Sequence, residues 1–214
     1  MTDIARLLIQ LEDIRPPVRR RIEVPLDIRL DDLHLVVQAA MGWENCHLYE
    51  FRVGGRDGPA YGVPDPDGVF TESDPRPARK ANLADLLAQL STRTRAFKYV
   101  YDFGDDWRHS VKLEAIAAAD PDIAYPHLLR AERACPPEDV GGPWGYARYL
   151  EAIANPAHPE HADMIEWRGA AFDPAVADEA EIRRRMKRIA TRLGNRRGRT
   201  AGKTAGKTGG TTAG

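Results

Sequence analysis

The chain has 214 residues, 43% of them apolar and 29% charged, with a formal net charge of −1. That length suits one good domain and excludes two large ones. Cys46 and Cys135 stand far apart with no C-x-x-C pair, which argues against a disulfide scaffold and against a structural zinc finger. No run approaches the roughly 20 apolar residues of a membrane span, and the start lacks the basic n-region and cleavage site of a signal peptide. No membrane partner is expected, and a reducing cytoplasm is the expected compartment.

The small net charge is a cancellation. From Arg183 to the end there are eleven Lys and Arg and no Asp or Glu, so residues 1–182 hold 20 basic and 32 acidic side chains. An acidic body therefore carries a basic C-terminal region.

Leu7–Leu11 reads as a strand, and Val18, Ile22 and Val24 alternate with Arg19, Arg21 and Glu23 in a second. Asp31 or Asp32 is placed to cap a helix carrying Leu33, Val36, Val37 and Ala40, which Gly42 ends. His47, Tyr49, Phe51 and Val53 share one face of the next strand. Residues 54–80 are rich in Gly, Pro and Asp and read as a long loop with an edge strand near Tyr61. Asn82 caps a short helix with Leu83, Leu86, Leu87 and Leu90. Phe97, Tyr99, Tyr101 and Phe103 then face Trp107, His109, Val111 and Leu113 across a hairpin. With Gly104-Asp105-Asp106 as its turn, Phe103 pairs with Trp107, Tyr101 with His109 and Tyr99 with Val111. Helices follow over about Tyr146–Ala154, around Met164, Ile165 and Trp167, and over about Val176–Leu193. Residues 194–214 are Gly/Thr/Ala/Lys-rich, without a large apolar side chain, and are expected to be disordered. The mixture lacks a βαβ rhythm. It predicts an α+β domain over 1–193 with a largely antiparallel sheet, followed by a disordered basic tail over 194–214.

Several motifs, in order, resemble one family. They are Pro16-Pro17-Val18 through Arg20-Arg21-Ile22, Leu33-His34, Gly42-Trp43 and His47-Leu48. The series continues with the run from Tyr101 to Trp107, His109, Cys135 through Asp139, Gly141-Gly142, Gly145-Tyr146, Asp163, Trp167 and Phe172-Asp173. Over roughly residues 4–190 the chain resembles the Ri-plasmid ORF-three-like family, also called the insertion-element passenger TnpR family. The resemblance implies a small α+β domain found on plasmids, mobile elements and chromosomes, with no established activity. The TnpR label implies a resolvase, yet the resemblance carries no recombinase nucleophile onto this chain.

Asp102-Phe103-Gly104 matches a kinase triplet, but the Gly-rich loop, strand lysine and H-R-D loop of a kinase are missing, and the turn explains it. The AGKT repeats of the tail miss P-loop spacing. His47 and His109 project from apolar strand faces, either as hydrogen-bonded core residues or as walls of a polar pocket. In the second case His34, Asp102, Asp105, Glu138 and Asp139 are available to join them, a donor set suited to a divalent metal and a bound water. The same Glu138-Asp139 pair also suits capping of the following helix. Trp43, Trp107, Trp144 and Trp167 serve either as base-stacking surfaces or as core and loop anchors.

Three functions follow as expectations. The first is a non-enzymatic binding module, needing no cofactor, that contacts nucleic acid through Arg183, Arg184, Lys187, Arg188, Arg196, Arg197 and Arg199. The second is a hydrolase or nuclease with a divalent metal held by the His, Asp and Glu residues of the pocket. The third is an adaptor whose acidic body binds a basic protein.

Overall fold

The computed structural model describes residues 3–55, 58–64, 75–91 and 94–205, and side chains as far as Arg196. Eight strands form one sheet: β1 (Asp3–Leu11), β2 (Arg19–Pro25), β3 (Tyr49–Arg52), β4 (Ala60–Gly62), β5 (Arg76–Pro77), β6 (Ala96–Tyr101), β7 (Trp107–Ala118) and β8 (His127–Glu132). Their order across the sheet is β5-β4-β3-β6-β7-β1-β2-β8. Every pairing is antiparallel except the short β4–β5 contact. Among the described residues five α-helices accompany it: α1 (Leu30–Met41), α2 (Leu83–Leu87), α3 (Gly142–Ala154), α4 (His161–Arg168) and α5 (Glu179–Ala205). This is the α+β architecture with a largely antiparallel sheet that the alternating patterns predict.

The two faces of the sheet differ as their side chains require. Leu7, Ile9, Ile22, Phe51, Tyr99, Trp107 and Val111 are buried on one face. α1 covers them with Leu33, Val36, Val37 and Ala40, and α5 adds Ile182, Met186 and Leu193, at near-helical spacing. On the other face cross-strand charges pair, with Arg6 2.8 Å from Glu23 and Arg21 2.7 Å from Glu114.

Arg20 breaks the alternation. It sits on the apolar face between Val18 and Ile22 and is 1% exposed. Its guanidinium donates to Ala40 O at 2.6 Å, Arg19 O at 2.7 Å and Glu132 O at 2.9 Å. Burial lowers its pKa, and the charges of Cys135, Glu179 and Glu132 oppose that shift. A cation is well placed there, because Ala40 belongs to the last turn of α1, whose carbonyls otherwise lack partners.

Several boundaries differ from the sequence expectation. The β6–β7 hairpin pairs Tyr101 with Trp107, Tyr99 with His109 and Phe97 with Val111. Phe103 therefore leaves the strand for a longer turn, in which Asp102 (φ 57°) and Asp106 (φ 53°) take left-handed conformations. The pairing differs from the expected one by two residues, so each side chain keeps its face. α1 starts after Arg29 without a side-chain cap; Asp31 and Asp32 lie in its first turn and bind arginines instead. Asn82 does cap α2, accepting the Asp85 N–H at 2.9 Å while Asp85 accepts that of Asn82. α3 begins at Gly142 rather than Tyr146, because Gly141 turns the chain and Pro143 suits a first helical turn. The strand β8 has no expected counterpart.

α5 also extends beyond the expected boundary at Leu193, as far as Ala205. Arg192 and Arg196, one turn apart, both reach the buried carboxylate of Asp32 on α1, which fastens the helix past Gly194. The rest of the expected tail, 206–214, lies outside the described residues. No helix among the described residues is long and apolar enough to cross a membrane.

Candidate metal centre

Three loops meet at one end of the sheet, and the pairing of β3 with β6 begins the arrangement. Tyr49 lies opposite Tyr101, and the Asp102 N–H continues the ladder to Leu48 O at 2.9 Å. His47 and Asp102 are thereby brought side by side. One oxygen of Asp102 accepts the N–H groups of Gly104 at 2.9 Å and Asp105 at 3.3 Å. The other oxygen is turned to His47 Nε2, 3.5 Å away.

The third loop, between β8 and α3, is pinned at both ends. Trp43 Nε1 donates to Pro136 O at 3.0 Å, and Glu138 accepts the Glu44 N–H at 2.7 Å and the Tyr101 hydroxyl at 3.1 Å. Further along, Gly141 N–H donates to Asp105 Oδ2 at 3.1 Å. Gly142 then packs so closely that a Cβ there would lie 2.5 Å from Asp105 O, and its φ of +68° also favours glycine. Asp139, with φ 56°, projects from this loop to within 2.9 Å of His47 Nε2.

One donor atom from each of His47, Asp102 and Asp139 lies within 4.8 Å of the other two. His47 Nε2 is buried, and neither carboxylate approaches it in hydrogen-bonding direction, despite the 2.9 Å contact. Asp102 is buried, whereas the Asp139 side chain is 68% exposed, so the cluster opens to solvent on one side. Glu138 Oε2 is likewise buried without a partner. Burial raises the Glu138 carboxyl above its ordinary range, against the hydrogen bonds from Glu44 and Tyr101. An imidazole nitrogen with two carboxylates suits divalent ions such as Mn²⁺ or Zn²⁺.

The remaining residues of the expected pocket lie elsewhere. His34 is buried on α1, with Nδ1 2.7 Å from the Tyr99 hydroxyl and its other nitrogen on Asn45 Oδ1. Its ring stacks on Tyr49 at 3.6 Å. His109 lies in the core beneath Trp43, with Nδ1 3.2 Å from Tyr99 O. That carbonyl only accepts, so Nδ1 carries the proton. Burial lowers the pKa of each imidazole to about 4. Asp105 supports the third loop and gives the cluster no donor atom. Tyr101 and Asn45, which hold Glu138 and His34, have no place in the expected set: one reads as an apolar-face aromatic, the other as a loop residue.

Three of the seven cations expected to meet nucleic acid are engaged in ion pairs. Arg183 pairs with Glu179 at 2.8 Å, Arg184 with Glu181, and Arg196 with Asp32. Lys187 and Arg188 make no ion pair among the described residues, while the Arg197 and Arg199 side chains lie outside them.

A sequence profile of plasmid pRiA4b ORF-3-like proteins matches residues 3–181. The chain belongs to the plasmid pRiA4b ORF-3-like family. This ORF-3-like protein is 44% identical over 191 residues to the uncharacterized protein y4hQ of Sinorhizobium fredii, covering 89% of this chain and 94% of the relative. It is also similar to the crystal structure of MM3350, a protein of unknown function from Methanosarcina mazei Go1. There the TM-score is 0.71 and the identity 35%, over 83% of this chain and 96% of the other.

Proposed function

We propose that this ORF-3-like protein is a hydrolase that uses one divalent metal ion. The observation that carries the reading is the convergence of His47, Asp102 and Asp139 from three separate loops, with His47 Nε2 buried and not hydrogen-bonded. His34 satisfies both ring nitrogens within the protein; His47 Nε2, like His109 Nε2 in the core, has no hydrogen-bond partner, and of the two only His47 stands beside a pair of carboxylates. His47 Nε2 and the two carboxylates would hold the ion, and the exposed side by Asp139 leaves positions for water and substrate. Such an ion would supply Lewis acidity, lowering the pKa of a water held there so that the water could act as the nucleophile of a hydrolysis. Glu138 follows Asp139 in the chain, and its unpartnered oxygen is suited to accept the proton of that water.

The cationic reading of α5 is less well supported, since Arg183, Arg184 and Arg196 are committed to carboxylates. Calorimetric titration with Mn²⁺ and Zn²⁺ tests the metal reading. One ion per chain is expected, with affinity falling at least tenfold in Asp102→Asn and in His47→Ala. Ester and phosphoester hydrolysis by the loaded protein is expected to fall with it. A protein that binds neither ion overturns the proposal.

A further inference from the structure

We infer that the cleft beside the metal cluster takes a nucleoside phosphate, its base on Trp167 and its phosphate between Arg168 and the ion. This names a substrate class for the hydrolase and rests on the metal reading above. The cleft runs between α4 and the β8–α3 loop, and its walls include Trp43, Glu44, Glu138, Asp139, Trp167 and Arg168.

Trp167 is 47% exposed, although a large indole on a short helix is ordinarily covered. Tyr149 meets it only in an edge contact at 5.8 Å, which orients the ring and leaves much of it open. An open indole face is a stacking platform for any nucleobase. Arg168 follows on the same helix, is exposed, and has no carboxylate partner among the described residues. Its planar fork matches two phosphate oxygens.

Charge decides between occupants. Glu138 and Asp139 stand at the cluster end of the cleft, and without a cation they repel a phosphate. A divalent ion on His47, Asp102 and Asp139 offsets the charge of its two carboxylate ligands and offers phosphate oxygens a direct coordination position, so phosphate is favoured between it and Arg168 only in the loaded protein. A ligand with both an aromatic ring and a phosphate uses all three features at once. Inorganic phosphate uses two.

The test is titration of AMP, and separately of inorganic phosphate, into the full chain with and without Mn²⁺. AMP is expected to bind the Mn²⁺-loaded protein about tenfold more tightly than inorganic phosphate, the scale of one base–aromatic stack. Trp167→Ala is expected to remove that advantage, and Arg168→Ala to weaken both ligands, with Mn²⁺ affinity unchanged in each. Arg168→Ala keeps the test valid if Trp167→Ala does not fold. Mn²⁺ binding without AMP binding, equal affinity for AMP and phosphate, or indifference to Arg168→Ala overturns this inference and leaves the metal reading standing. Failure to bind Mn²⁺ overturns the metal reading, and this inference falls with it.

Discussion

Asp105 Oδ2 accepts the Gly141 N–H at 3.1 Å, and this bond joins the β6–β7 turn to the loop that carries Asp139. The contact is reinforced from the other side, where Gly142 packs against the Asp105 carbonyl. Asp105 thus positions two of the three donor residues without supplying an atom to the cluster: Asp102 through the turn, and Asp139 through the loop.

Asp105→Ala should therefore weaken Mn²⁺ binding about tenfold, the usual scale for a residue that supports a ligand from behind. Calorimetry reads the affinity, and an unchanged near-ultraviolet spectrum shows that the core is intact. Equal affinity in the variant and the parent would sever the proposed link.

Gly142→Ala strains the same junction more severely. Its left-handed φ and the 2.5 Å approach of a Cβ to Asp105 O act together. A loss of roughly 2 kcal/mol is expected in urea unfolding. A loss below the scatter of the method would mean that the loop moves aside easily.

Arg20→Ala should be among the most damaging single changes. It removes the only cation on the apolar face of β2 and strips hydrogen bonds from Ala40 O and Glu132 O. The expected loss is about 3 kcal/mol, measured by denaturant unfolding of the variant against the parent.

Acid should destabilise the protein through its core histidines. In the unfolded chain each imidazole has its ordinary pKa of 6.5, whereas in the fold burial lowers His34 and His109 to about 4. The unfolded state binds more protons between those values, so stability is full above pH 6.5 and is lost as pH falls toward 4. Each group accounts for roughly 3 kcal/mol over that interval. His109→Gln should remove about half of the acid-side slope, and a slope unchanged by it would show that other groups dominate.

Asp32→Ala should loosen the end of α5. Asp32 is buried on α1 and receives Arg192 at 3.3 Å as well as Arg196. Amide exchange over residues 192–205 should accelerate about tenfold, with little change near Ile182 and Met186.

Much of the sheet was legible because alternation has only one period to obey. Tyr99, Tyr101, Trp107 and Val111 fall on the core face whichever of two hairpin turns is assumed. The turn itself was not legible: left-handed Asp102 and Asp106 lengthen it, and aspartate permits that conformation without demanding it. Arg20 defied the pattern because its partners are backbone carbonyls, which leave no mark on composition. β8 escaped because its ends are set by pairing with β2, and Arg130 and Glu132 dilute its apolar residues. The length of α5 depends on Asp32, distant in the chain. For the cluster, residue type nominated His34, His47 and His109 alike. Only the Tyr49–Tyr101 pairing and the Asp105–Gly141 bond distinguish the one beside two carboxylates from the two in the core.

His47, Asp102 and Asp139 are supplied by segments that meet only after β3, β6, β7 and β8 have found their places. An unfolded chain offers a metal three isolated donors, each weak by itself. Ion binding would then be coupled to completion of the whole topology, and would raise the melting temperature with the logarithm of free ion concentration. The protein's thermal resistance would thereby report the local supply of the ion.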